Sequence, residues 1–146
     1  MNEHIIRLRR AWEGTSGGLP RRIDLPIVWP EESDRSIVLR RRFQTPRIDE
    51  ASETLSLRFQ AIDGVVSIRL NGREITPISP IPTIWDWRWE PPRPGGNVLE
   101  IEVDLGARHG DDAWRSEPWG EIALVIRRGE AAAADVQPGT AGIQFN

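Results

Sequence analysis

Hydrophobic and polar residues alternate with a period of two in one segment of this chain after another. In residues 37–43, Leu39 and Phe43 fall on one face and Arg40 and Arg42 on the other. In 54–61, Leu55, Leu57, Phe59 and Ala61 point one way, and Ser56, Arg58 and Gln60 the other. In 65–70 the apolar set is Val66, Ile68 and Leu70, with Ser67 and Arg69 outside. Residues 98–105 place Leu99, Ile101, Val103 and Leu105 inward against Glu100, Glu102 and Asp104, and 121–127 do the same with Ile122, Leu124 and Ile126. Alternation over Ile5 to Arg10, just ahead of Trp12, predicts a further strand near the N-terminus. Such patterning is the signature of half-buried antiparallel strands.

Helix signals are nearly absent. No window keeps apolar positions three and four apart, and Pro and Gly recur throughout. Turn chemistry separates the strands instead. Asp63-Gly64 is expected to join the second and third of the central strands as a tight hairpin. Asn71-Gly72 is expected to join the third to Glu74-Ile75, and Pro94-Gly95-Gly96-Asn97 to form the turn before Leu99. Seven or so short strands with regular turns predict an all-β chain, an antiparallel β-sandwich or jelly roll, over residues 1–129. Residues 130–146, with AAAAD followed by PGTAG, read as a C-terminal tail tied down at Ile143 and Phe145.

Composition narrows the chemistry. With 146 residues the chain has the length of one ordinary domain, enough to bury a core. It has no cysteine, so disulfides, thiolate metal sites and a Cys nucleophile are excluded. Lysine and tyrosine are also missing, which removes Schiff-base chemistry and a phosphate-loop lysine. All 19 basic residues are arginines, yet the net charge is −3, so nucleic acid is not an expected partner. No segment has the length or apolarity of a membrane span or the look of a secretory leader, and a cytoplasmic, membrane-free protein is expected. Neither GxSxG nor HExxH nor a Gly-rich phosphate loop is present, and nothing selects a glycosidase pair from the acidic residues. The expectation is a non-catalytic protein without cofactor.

SIVLRRRFQTP followed by LSLRFQAIDGVVSIRLNGREI resembles the N-terminal sugar-binding domain of family 2 glycoside hydrolases, a jelly roll like the galactose-binding domains. The Arg-rich strand ending in Phe before a Pro turn corresponds to Arg41, Phe43 and Pro46. The core that follows corresponds to Leu57, Arg58, Phe59, Asp63, Val66, Leu70, Asn71 and Gly72. Pro94, Gly95, Asn97, Leu99, Ile101 and Val103 match the next segment, and Trp119, Gly120, Ile122 and Leu124 the last. The likeness runs over residues 5 to 128. One departure is Ile37, Val38 and Leu39, where the family has aromatic residues before the Arg-rich strand. The immunoglobulin-like and barrel domains that carry the family's catalysis are not in this chain, so its catalytic glutamates match no position here. The resemblance implies a sandwich that braces a catalytic domain and shapes its substrate pocket.

The tryptophans are where binding chemistry is expected. Trp85, Trp87 and Trp89 alternate in IWDWRWE, so an extended segment puts all three indoles on one face, with Asp86, Arg88 and Glu90 between them. Trp114 and Trp119 flank a second loop region. Flat indoles stack on the C–H faces of sugar rings while charged groups bind hydroxyls. The expected site is therefore stacking on Trp85, Trp87 or Trp89, with Asp86, Arg88 and Asp111 on the hydroxyls and Trp114 and Trp119 nearby. Two plainer readings stand beside it. Indoles spaced by two also fill a sandwich core or pack a proline-flanked loop on a sheet, and they also form protein interfaces, with a partner protein or in a homo-oligomer. Trp12 and Trp29 are assigned to packing. Asp111 and Asp112 in a Gly-containing loop read as solvated turn residues before they read as a calcium site, and His109 reads as a surface residue.

Overall fold

The computed structural model describes residues 2–29, 36–78, 82–105 and 117–129. The tail expected over 130–146 lies outside them, as do His109, Asp111, Asp112 and Trp114. The described residues form ten strands: β1 (Asn2–Arg7), β2 (Trp12–Ser16), β3 (Leu19–Ile23), β4 (Ser36–Gln44), β5 (Glu53–Gln60), β6 (Val65–Leu70), β7 (Arg73–Glu74), β8 (Ile84–Arg88), β9 (Gly96–Asp104) and β10 (Glu121–Arg128). They make two antiparallel sheets, one of four strands ordered β1-β10-β5-β8 and one of six ordered β3-β2-β4-β9-β6-β7. This is the all-β sandwich that the alternation predicts.

The in-facing residues of both sheets meet in one core. Leu55, Leu57 and Phe59 of the four-stranded sheet are fully buried, as are Leu39, Ile101, Val103 and Ile68 of the other. Burying such side chains against water is worth about 1.5–3 kcal/mol each, which is the main force holding the sheets together. Gly14 marks a tight place: a side chain there would run into Ile23 and Ile37. Arg41 shares the inward parity of Leu39 and Phe43, and its guanidinium donates to the Arg10 and Arg42 carbonyls at 2.7 and 2.8 Å.

The Asn71-Gly72 turn is as expected. Both residues have positive φ (53° and 83°), and they join β6 to β7 as a hairpin. Asn97 locks the neighbouring turn. It is 2% exposed, donates to Thr45 Oγ1 and the Gly95 carbonyl, and accepts from Asn71 Nδ2.

Three expectations are corrected. The Asp63-Gly64 turn is not a hairpin, because β5 and β6 lie in different sheets. The chain arches between sheets with Ala61 and Gly64 at positive φ, and Gly120 N–H donates to the Ala61 carbonyl while Asp104 N–H donates to that of Gly64. Val66 is not in the core; it is half exposed, whereas Val65 and Ser67 are buried. A register shift between Val65 and Ser67 against β9 turns Val66 outward and leaves Ile68 and Leu70 pointing in. The Trp85 segment is a paired strand, not a loop packed on the sheet, with β8 hydrogen-bonded to β5 at the sheet edge. Alongside these, the hairpin of β2 and β3 through Gly17-Gly18 went unforeseen.

Candidate functional site

On β8, pairing sets Trp85 opposite Phe59, Asp86 opposite Arg58, Trp87 opposite Leu57 and Arg88 opposite Ser56. The three indoles share the inner face, as a period of two requires. Trp85 stacks on Phe59 with ring centroids 5.3 Å apart and planes at 28°. Trp89 meets Phe43 edge-on at 6.0 Å and is 6% exposed, so its indole belongs to the core. Trp85 and Trp87 pack against that core but are only half buried. The Arg73 guanidinium sits 5.8 Å from the Trp87 ring centroid.

Trp119 lies elsewhere. It bridges to Ile27, donates from Nε1 to the Asp63 carbonyl at 2.7 Å and is 2% exposed. Trp29 packs against it at 5.6 Å, and Trp12 is buried with its Nε1 donating to the Leu8 carbonyl. Among the described tryptophans, open indole surface is thus confined to Trp85 and Trp87.

The outer face of the same sheet holds the charges interleaved with the indoles. Asp86 accepts from Arg58 Nε at 2.8 Å and Nη2 at 3.0 Å, and from Arg127 Nη2 at 2.6 Å. Glu3 bridges the same two arginines, at 3.2 Å from Arg58 and 2.9 Å from Arg127. The Arg58 hydrogen bonds, with help from Arg127, hold both carboxyls below the usual carboxylate range, and the pairing in turn raises the Arg58 guanidinium. The carboxylate of Asp86 is therefore committed to arginine. Arg88 pairs with Glu90 at 2.6 Å on an exposed edge.

A second concave feature lies on the outer face of the six-stranded sheet. Strand register lines up Arg22, Glu13, Arg40, Glu100, Arg69 and Glu74 in one row across all six strands, with alternating charge. Arg40 and Glu100 meet at 2.7 Å, Arg69 and Glu74 only at 3.8 Å. Cross-strand pairs of opposite charge each contribute about 0.2–1 kcal/mol to the sheet. The next row runs Thr15, Val38, Glu102, Ser67. Parts of the two rows enclose a groove of about 430 Å³ lined by Thr15, Val38, Arg40, Ser67, Arg69, Glu100 and Glu102. Sequence reasoning missed it. Its residues come from four strands and become neighbours only once the pairing order is known. Among the described residues no His, Cys, Asp and Glu cluster suits a metal ion, and no helix is long and apolar enough to cross a membrane.

No known protein family's sequence profile matches the chain, and no curated protein matches it by sequence. Solved structures do match. An FMN-binding β-glucuronidase from Facaelibacterium prausnitzii L2-6 superposes with a TM-score of 0.67 at 19% identity, over 86% of this chain and 23% of that one. A β-D-mannosidase from Dictyoglomus thermophilum gives 0.59 at 15% identity, over 86% and 22%. A Bifidobacterium dentium β-glucuronidase complexed with coumarin-3-O-glucuronide gives 0.62 at 13% identity, over 86% and 30%. The fold is thus that of a β-sandwich found within large sugar-cleaving enzymes. More narrowly, it is like the N-terminal sandwich of family 2 glycoside hydrolases, the resemblance that the motifs carry. The chain spans between about a fifth and a third of the length of the structures it matches.

Proposed function

We propose that this chain is a non-catalytic, carbohydrate-related accessory module that recognises a sugar by stacking on Trp85 and Trp87. The observation that carries the reading is the fold likeness, which spans nearly all of this chain and only a minor part of enzymes described as glucuronidases and a mannosidase. Half-open indoles on the β8 edge supply the apolar surface for a sugar ring, and the Arg73 guanidinium, 5.8 Å from the Trp87 ring centroid, is placed to reach hydroxyls. Tryptophan fluorescence tests it cleanly, since the chain has no tyrosine. Titration with mono- and oligosaccharides should give a saturable shift for one sugar class that is lost in Trp87→Ala. Silence across the panel at millimolar concentrations would sink the stacking mechanism.

A second reading is a protein-packing module. Leu19 on β3 and Ile84 on β8 leave large apolar side chains exposed on edge strands, at 78% and 53%. Light scattering separates the two, because a strict monomer at high concentration speaks against self-association.

A further inference from the structure

We propose that the groove on the outer face of the six-stranded sheet is a binding site for a neutral saccharide, centred on Ser67 and Glu102. The proposal rests on the carbohydrate reading above only for the class of ligand; the site is a different one.

Ser67 is the first observation. It is 8% exposed, lines the groove, and its hydroxyl has no hydrogen-bond partner among the described residues. The hydroxyl is not sealed off, since Trp29 Nε1 is the one fully buried side-chain polar atom without a partner among the described residues, so it stands open to a ligand atom in the groove. The backbone puts it there. Ser67 keeps the outward parity of Arg69 and lies beside Glu102, with the register shift falling just before it, between Val65 and Ser67, and such bulges recur next to binding sites. Glu102 is the second observation. It is half buried, lies directly across from Ser67, and is without an ion pair among the described residues. Its two oxygens are spaced to accept a vicinal pair of hydroxyls.

Charge decides what kind of ligand fits. Arg40 and Arg69 balance Glu100 and Glu102, so the groove carries no net charge and favours neither anions nor cations. Donors and acceptors instead alternate at short range. Arg69, held from Glu74 only at 3.8 Å, and Thr15 add donors, and Val38 offers an apolar patch for a C–H face. Dense hydrogen bonding of both senses around a small apolar patch is complementary to a polyol ring. The volume, about 430 Å³, falls within the range of roughly 300–1,000 Å³ usual for small-ligand sites. No aromatic residue lines the groove among the described residues, so recognition here works by hydrogen bonding and leaves the indoles untouched.

Amide chemical-shift mapping of the full 146-residue chain tests this, with lactose, cellobiose, maltose and mannobiose as neutral probes and glucuronate and glucosamine as charged ones. A neutral disaccharide should move the amides of Val38, Ser67 and Glu102 saturably, with Kd on the order of 1 mM. Ser67→Ala and Glu102→Gln should each weaken it by about tenfold. Shifts confined to the indole resonances of Trp85 and Trp87 would overturn the groove site and leave the stacking reading standing. Shifts confined to the groove would support it and tell against stacking. No saturable groove shift with any of the four disaccharides, tighter binding of either charged probe, or full binding by Glu102→Gln would each overturn the proposal.

Discussion

Asp86 shows how one position can carry opposite messages in sequence and in structure. Between two indoles it reads as a hydroxyl ligand; in the fold its carboxylate takes three hydrogen bonds from Arg58 and Arg127. That pairing has a pH signature. Its native pKa, like that of Glu3, lies below the ordinary value. The unfolded chain therefore binds protons first on acidification. The stabilisation is complete above the unfolded carboxylate pKa of about 4 and is lost as pH falls through the lower native values. Asp86→Asn should cost about 1–2 kcal/mol at neutral pH, a figure kept small because the cluster is partly solvated. The gap from the parent should close near pH 2. Urea unfolding at both pH values measures it, and a gap of the same size in acid would rule out the ion-pair account. Val66 illustrates the other kind of misreading. Its parity was sound for a regular strand, but a bulge changes parity without any residue type announcing it.

Strands were the most legible elements. The five alternating segments coincide with β4, β5, β6, β9 and β10 to within a residue or two, because half-burial imposes a period of two on the side chains themselves. Connections were less legible. Asn71-Gly72 and Asp63-Gly64 look alike, yet only the first closes a hairpin. Positive φ is needed both to reverse a chain within a sheet and to swing it across to the opposite one, so the dipeptide names the bend and not its destination. The shared face of Trp85, Trp87 and Trp89 on β8 was legible as well. Which indoles stay open was not, since that depends on Phe43 and Phe59, from other strands, packing beside them. The gradient along β8 has an energetic counterpart. Trp89→Ala should cost about 3–5 kcal/mol, as for a core aromatic, and Trp85→Ala about 1–2 kcal/mol, because part of its surface is already wet. Equal losses in denaturant unfolding would contradict the placement of the two rings.

At the scale of the molecule, fold and family likeness could be reached from the chain, while the groove could not. Thr15, Val38, Ser67 and Glu102 form a row only because β2, β4, β9 and β6 stand side by side, an order set by pairing between distant segments. The same long-range pairing makes β1 critical. It covers β10 from Ala123 to Arg128, with Asn2 opposite Arg128 and Arg7 opposite Ala123. Deleting residues 2–7 would bare that edge, and an open edge pairs with whatever strand it meets. The truncated chain should dimerise or aggregate in light scattering, and a monomer as stable as the parent would refute the idea.

The partnership of β1 with β10 also puts a clock on synthesis. Every strand of the six-stranded sheet lies between Trp12 and Asp104, so that layer can assemble while the ribosome is still adding residues. The four-stranded layer needs its central strand β10, and β1 must wait for the same residues. For that interval, about one to five seconds at ordinary elongation rates, the nascent chain displays half a core to water or to any chaperone waiting at the exit tunnel.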